Sequence, residues 1–157
     1  MGYINGIKGK EVQVIKKILF LTMALILGVL AGCTENVPEI DGFEWKMESV
    51  QQGSDGRYIF CSPEMSDIFE NVEIADVECV ASDGKITVIN NADGKVCEGN
   101  YRLISSDAKS EIYEIIFGEK TGYAVCAMTE YDDGTRKPTF VMNIGEMTVN
   151  FSPGTDL

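Results

Sequence analysis

Apolar and polar residues alternate along most of the chain beyond residue 42, and short turn sequences separate the alternating stretches. In the first stretch, Phe43, Trp45 and Met47 share one side of an extended chain, and the charged residues between them take the other. A period of two is typical of a strand that buries one face. We expect eight or nine strands, at about residues 43–48, 57–61, 76–82, 85–90, 95–104, 111–118, 123–130, 139–144 and 147–151.

The turns between these stretches predict hairpins. Asp83-Gly84 and Asn91-Ala92-Asp93-Gly94 carry residues that tolerate the positive φ of tight hairpin connections. No convincing amphipathic helix separates the strands, which disfavours a parallel βαβ arrangement. Residues 62–75 are less regular and predict a loop with a short helical turn around Met65 to Glu70.

Antiparallel strands that follow one another can remove their exposed edges by closing into a barrel. The sequence therefore predicts an all-β, antiparallel up-and-down barrel, with a flattened β-sandwich of the same strands as the alternative. Closure would direct one apolar face of each strand inward. The expected inward residues are Phe43, Trp45, Met47, Ile86, Val88, Tyr101, Leu103, Tyr113, Ile115, Phe117, Phe140, Met142, Ile144, Met147, Val149 and Phe151.

The N-terminal part has a different pattern, with one apolar run at residues 18–30 that follows Lys16-Lys17. The run is shorter than the roughly 20 residues of a transmembrane helix. It fits a secretory signal sequence, although a short membrane span or a buried helix is the alternative. Leu30-Ala31-Gly32-Cys33, which closes the run, resembles the lipobox of bacterial lipoprotein signal peptides.

That resemblance implies cleavage before Cys33 and attachment of a diacylglycerol to its thiol. We expect a signal peptide at residues 1–32, a polar tether at 33–42 and one domain at 43–157. Two or three acyl chains would give stable anchoring, because a single chain binds a membrane only marginally. The expected location is extracytoplasmic, on the cell membrane or outer membrane.

Several segments also resemble small bacterial lipoproteins with lipocalin-like domains. They are Trp45 on the first strand, Gly99 to Leu103, Pro138 to Met142 and Met147 to Phe151. In place of the Gly-x-Trp signature of lipocalins the chain has Gly42-Phe43-Glu44-Trp45, which is one residue longer. The resemblance implies a barrel fold, and it bears more on fold than on function.

Charge and composition exclude several classes of function. The chain has 13 Lys and Arg, 25 Asp and Glu, no histidine and a net charge of −12. Without residues 1–32 it would keep nine basic and 24 acidic residues, a net charge of −15. Such a surface repels phosphate backbones, so we expect no nucleic acid partner. A cationic partner on the acidic face is the alternative to a merely solvated surface.

No motif predicts catalysis, a metal or another cofactor. The absence of histidine removes the usual neutral-pH base of Ser-His-Asp and Cys-His sites. Carboxylates that could act in pairs occur in residues 64–70, 73–78 and 132–133, and we interpret them as solvated surface. The Asp-Gly turns lack the ligand spacing of a calcium loop, and no phosphate-binding loop occurs. We expect no enzyme activity.

Cys61, Cys79, Cys97 and Cys126 remain after the proposed anchor. The sequence is compatible with three states of these cysteines: buried thiols, one disulfide or a functional thiol. No Cys-x-x-Cys spacing occurs, so neither a redox motif nor a structural zinc site is indicated.

The sequence supports two hypotheses about function. In the first, the barrel interior binds a small apolar or amphipathic ligand through Trp45, Tyr101, Tyr113, Phe117 and Phe140. In the second, the barrel is a non-catalytic acidic scaffold or protein-interaction module of the cell envelope. An interior cavity of about 300 Å³ or more would favour the ligand, and a filled interior would favour the scaffold.

Overall fold

The computed structural model describes residues 37–156 of the chain, with side chains to residue 154. The predicted signal peptide, the predicted lipidation site Cys33 and the first part of the predicted tether therefore lie outside the described residues. Within the described residues, ten strands and one short 3-10 helix follow one another. They are β1 (Phe43–Gln52), β2 (Arg57–Cys61), the 3-10 helix (Pro63–Met65), β3 (Glu73–Ile74), β4 (Val77–Ser82), β5 (Lys85–Asn90), β6 (Lys95–Ser106), β7 (Ser110–Phe117), β8 (Lys120–Glu130), β9 (Arg136–Ile144) and β10 (Met147–Asp156).

Eight of these strands form a closed antiparallel barrel. From β4 to β10 each strand pairs with the next one along the chain, and β1 joins the two ends by pairing with both β4 and β10. Met47 lies opposite Phe151 across the β1–β10 pair, and Trp45 lies opposite Cys79 across the β1–β4 pair. The predicted all-β, up-and-down barrel is confirmed, and closure excludes the sandwich alternative.

The predicted hairpin turns also form. Between β4 and β5, Asp83 and Gly84 have φ values of 51° and 77°. Consecutive residues with positive φ match the twist of two-residue hairpin connections, and Asp and Gly tolerate this conformation better than most residues. The turn pairs Ser82 with Lys85, and this pair fixes the register of the β4–β5 ladder.

The barrel interior is a continuous apolar core. Phe140 lies between Trp45 and Phe151, with ring centroids 5.3 Å and 5.0 Å away, and all three side chains are fully buried. The buried core consists of Ile40, Trp45, Met47, Val50, Cys79, Ala81, Ile86, Tyr113, Ile115, Ala124, Cys126, Phe140, Met142, Val149 and Phe151.

Two residues expected in the interior are exposed instead. Leu103 is 51% exposed, because β6 pairs with β5 only as far as Asn100 and has an irregular register after Leu103. Met147 is 36% exposed and directly follows the last hairpin turn. The alternating pattern gives the face of a residue but not how far the neighbouring strands extend to cover it.

The two extra strands arise from an irregularity in β1. A register shift between Met47 and Ser49 separates the half of β1 that pairs with β4 from the half that pairs with β2. β3 runs parallel to β2. With only two residues, β3 is too short to give an alternating pattern. Residues 62–72 connect them and hold the 3-10 helix, followed by turn hydrogen bonds from the amides of Ile68 and Phe69 to Met65. We call residues 62–72 the cover segment.

Candidate functional site

The barrel interior was the predicted ligand site, and two of its five predicted residues are fully buried in the core. Trp45 and Phe140 each have 0% exposure and contact one another. The indole Nε1 of Trp45 donates a 2.7 Å hydrogen bond to the carbonyl oxygen of Ile40. Ile40 itself is 1% exposed and belongs to the same core. The chain's own Ile40 therefore lies among the side chains that were expected to bind a ligand.

The two predicted tyrosines contact the same segment. The hydroxyl of Tyr113 accepts a hydrogen bond from the amide of Ile40 at 3.3 Å, and it donates a short hydrogen bond to the carboxylate of Glu111. Tyr101 donates a 3.3 Å hydrogen bond to the carboxylate of Asp41. The two rings meet edge to face at 5.7 Å. Three of the five predicted residues thus hold Ile40 and Asp41, which lie in the range predicted as tether.

Phe117 is the fifth predicted residue and lies at the edge of the core. It is partly buried and packs against the core cluster. A Cβ atom added to Gly99 would lie 2.7 Å from the Phe117 ring, so the ring rests directly on this glycine. The close approach explains why a residue without a side chain occurs inside β6.

Burial keeps the interior groups uncharged. Desolvation is the main cause that raises the pKa of Tyr113, and the Glu111 carboxylate adds to it. Burial also raises the pKa of the Cys79 thiol to about 12 and raises that of Cys126. Both thiols are therefore protonated at neutral pH, and a protonated thiol is a poor nucleophile and metal ligand.

The four described cysteines are all free. Cys61, Cys79 and Cys126 are buried, and Cys97 is exposed on β6. The disulfide alternative therefore finds no pair within residues 37–156. The three buried thiols behave as small apolar side chains, as expected for cysteines in a core.

The surface carboxylates do not form a site among the described residues. No group of three or more Asp, Glu, Cys or His side chains in this part of the chain is placed to hold a metal ion. Hydrogen bonds from the Thr135 hydroxyl and amide lower the pKa of Asp133, and backbone and Ser62 hydrogen bonds lower that of Glu64. A general acid needs a raised carboxyl pKa, so these two groups have the opposite shift.

A groove on the outer wall of the barrel has a volume of about 350 Å³ and is open to solvent. Its floor comes from β1, β9 and β10, and its walls come from the cover segment, Tyr58 of β2 and the end of β8. On β9, Phe140 and Met142 are buried in the core, so Thr139 and Val141, which alternate with them along the strand, face outward into this groove. We call this depression the outer groove.

Four aromatic residues and several neutral polar groups line the outer groove, and one of the four, Phe151, is 1% exposed and also belongs to the core. Tyr58 and Phe69 pack together with ring centroids 4.4 Å apart, and Tyr131 stands at the end of β8. The sequence pattern did not single out Tyr58, Phe69 or Tyr131, because they come from the polar faces of strands and from irregular segments. In the structure Tyr58 is 38% exposed and Tyr131 is 42% exposed, which the sequence alone does not give.

No protein-family model, curated protein or solved structure matches this chain. Within residues 37–156, no helix has the length and apolar character needed to cross a membrane. The fold and the two regions just described define the class of protein: a closed eight-stranded antiparallel barrel with two extra strands, a buried apolar core and an open groove on its outer wall.

Proposed function

We propose that this protein is a lipid-anchored, extracytoplasmic lipoprotein whose lipocalin-like barrel is a non-catalytic interaction module of the cell envelope. The lipobox-like residues before Cys33 support the anchor. One observation favours an interaction module over a ligand carrier. Ile40 is buried among the aromatic side chains that would otherwise contact a ligand.

The hydrogen bonding of the interior supports the same choice. In the described part of the chain, every buried side-chain nitrogen and oxygen has a hydrogen-bond partner. The Trp45 indole and the Tyr113 hydroxyl are satisfied by Ile40 and Glu111 rather than by an external molecule. A ligand entering the interior would have to replace both the side chain and the backbone groups of Ile40, and unreplaced buried polar groups are costly.

The charge of the barrel favours a cationic partner on its outer surface. The chain keeps a net charge of −15 after removal of the proposed signal peptide. Several carboxylates lie on exposed turns, for example Asp93, Asp107 and Asp133. Complementary charge speeds the encounter with a cationic partner, and added salt weakens this effect.

The anchor is tested by membrane fractionation with metabolic labelling of lipids. Cys33→Ala is expected to abolish incorporation of labelled fatty acid and to release the chain from the membrane fraction. Cys97→Ala is the matched control, because Cys97 is an exposed free cysteine within the barrel. If Cys33→Ala keeps label and membrane association at the level of Cys97→Ala, the anchoring proposal is wrong.

Occupancy of the interior is tested by native mass spectrometry of the full chain from its own producer. We expect a mass that equals the processed chain plus its acyl groups. A reproducible additional apolar compound whose removal changes the emission of Trp45 would instead identify an interior carrier.

An interior carrier is the second candidate function, and one observation favours it. Ile40 reaches the core from a segment outside the strands. Trp45 donates a hydrogen bond to its carbonyl oxygen, its amide donates one to the Tyr113 hydroxyl, and Tyr101 donates one to the neighbouring Asp41. Release of this short segment would expose Trp45 and Tyr113 without breaking a β-ladder. In that case a small apolar ligand would take the place of the Ile40 side chain.

A further inference from the structure

The outer groove has the dimensions and the composition of a small-molecule site. Its volume of about 350 Å³ lies at the lower end of the range for ligand pockets. It combines apolar rings with a few polar groups, which is also the composition of most such pockets. Because the cover segment and the barrel wall form its opposite sides, the groove is built by tertiary structure rather than by one loop.

The charge of the lining excludes anionic ligands. Among the groove residues Glu48 is the one ionisable acid, and none is a Lys or Arg. Lys137 lies at the rim, with its Nζ 5.8 Å from the centre of the Tyr131 ring. Phosphates and carboxylates are bound through cationic side chains, so their binding here would place like charges together.

The polar groups of the floor are neutral and can both donate and accept hydrogen bonds. Asn150 Nδ2 donates to Ser49 Oγ at 3.2 Å, and the hydroxyls of Thr129 and Thr139 are 2.8 Å apart. A hydroxyl has one donor and two acceptor positions, and an amide has two of each. Thr139 Oγ1 also donates to the carbonyl oxygen of Ala127 at 3.2 Å, so it can only accept from a ligand, whereas the Asn150 amide retains a second donor position.

The rings at the walls offer apolar faces with polar tips. Tyr58 and Tyr131 are both exposed, and their hydroxyls form no hydrogen bond with another described residue. An aromatic face packs well against the apolar C–H face of a sugar ring, while the phenol oxygen remains available to its hydroxyl groups. A purely apolar ligand would leave the hydroxyls and amide of the floor without partners, at a cost.

We propose that the outer groove binds a neutral saccharide, with its ring against Tyr131 and its hydroxyl groups on Thr129, Thr139 and Asn150. The Glu48 carboxylate accepts a hydrogen bond from a sugar hydroxyl at one end. This site shares Phe151 with the core but contains none of the residues predicted to bind a ligand in the interior, and it requires neither the lipid anchor nor a cationic protein partner.

The test is saturation-transfer difference NMR on the full chain, purified as the cell makes it, in a detergent without a sugar headgroup. The probes are glucose, galactose, mannose, N-acetylglucosamine, cellobiose and maltose at millimolar concentration. We expect saturation transfer to the C–H protons of at least one probe. Absence of transfer to all six overturns the proposal.

Variants of Tyr131 locate the binding. Tyr131→Ala is expected to weaken binding at least fivefold, and Tyr131→Phe, which keeps the ring, is expected to stay within about threefold of the original chain. Tyr123→Ala is the matched control, because Tyr123 is a 54% exposed tyrosine on β8 that does not line the groove. Unchanged thermal unfolding of the three variants shows that each is folded.

Two further outcomes would contradict the proposal. Equal saturation transfer in Tyr131→Ala and Tyr123→Ala would place the sugar elsewhere on the surface. Displacement of the bound saccharide by indole at a lower concentration than any of the sugars would show that the groove prefers an apolar ring. Neither outcome bears on membrane anchoring, which has its own readout.

Discussion

The barrel interior and the outer groove are built from neighbouring residues of the same strands, yet they differ in what their aromatic rings contact. On β9, Phe140 faces inward and stacks between Trp45 and Phe151, whereas Thr139 and Val141 face outward into the groove. The interior rings are covered by other parts of the chain. The rings of Tyr58 and Tyr131 outside keep 38% and 42% of their surface exposed.

The difference shows that an aromatic cluster is not by itself a binding site. Trp45 and Tyr113 have the residue types of a ligand pocket, but Ile40 satisfies their polar atoms and fills the space beside them. The groove has smaller apolar content and retains exposed hydrogen-bonding groups. What decides between core and site is whether the chain itself supplies the contacts.

The largest expected effect is on the interior. Phe140→Ala removes the ring between Trp45 and Phe151, and truncation of a fully buried phenylalanine costs ~3 to 5 kcal/mol of unfolding free energy. Urea unfolding measures the loss. A cost below that of an ordinary surface substitution would show that the interior is not the close-packed core described here.

The second prediction concerns Ile40, which is buried beside the aromatic residues of the interior. Ile40→Ala is expected to cost ~2 kcal/mol, the lower end of the range for a buried isoleucine, because its segment can detach without disrupting the strands. The emission of Trp45, the one tryptophan of the chain, should shift to longer wavelength, and apolar dye binding should increase. Unchanged emission would mean that Ile40 does not cover Trp45. Glu39→Ala, at an exposed neighbouring position, is the control.

A third substitution tests the edge of the core. In Gly99→Ala the new Cβ would lie 2.5 Å from the carbonyl oxygen of Ile116 and 2.7 Å from the Phe117 ring. Overpacking of this kind costs ~1 to 3 kcal/mol, which chemical denaturation can measure. Asn100→Ala, at the exposed neighbouring position of β6, should be nearly neutral. Equal stability of the two variants would contradict the close approach.

We expect a substitution in the outer groove to have a much smaller effect on stability. Tyr131→Ala should change the unfolding free energy by at most about 0.5 kcal/mol, as is usual for surface substitutions, because its side chain is exposed and lies beside Lys137 at the surface. Thermal unfolding measures this value. A loss comparable to that of Phe140→Ala would make Tyr131 a packing residue rather than a wall of an open groove.

The smallest prediction concerns pH on the outer surface. The Asp107 carboxylate accepts hydrogen bonds from the amides of Lys109 and Ser110 at 2.7 Å and 2.9 Å, which lower its pKa. A carboxylate with a lowered pKa in the folded state stabilises the fold above its unfolded pKa of about 3.9, and the contribution is lost as pH falls through the lower folded value. The stability difference between the original chain and Asp107→Asn should therefore shrink from pH 7 to pH 2. An equal difference at both pH values in urea unfolding would contradict this assignment.

Much of the fold could be predicted because it depends on local patterns. Alternation located the barrel strands, and Asp83-Gly84 and Asn91 to Gly94 located hairpins that the structure contains. The additional strand β3 was missed, since its two residues pair with β2 only through the path of the cover segment. Leu103 was expected in the interior because it lies two residues after Tyr101, on the same face of β6. The pairing of β6 with β5 ends at Asn100, so β5 does not cover Leu103.

The candidate sites divide in the same way. The sequence by itself determined that alternating aromatic residues such as Trp45, Tyr113 and Phe140 would face one side of the strands, since side chains of a strand alternate between its two faces. Only the tertiary structure decided that Ile40 would be buried against Trp45 and Tyr113, and that the cover segment would stand beside the outer wall of β9 and β10 to form a groove. Both arrangements join residues that are distant in sequence, through backbone geometry and packing that a local periodicity does not contain.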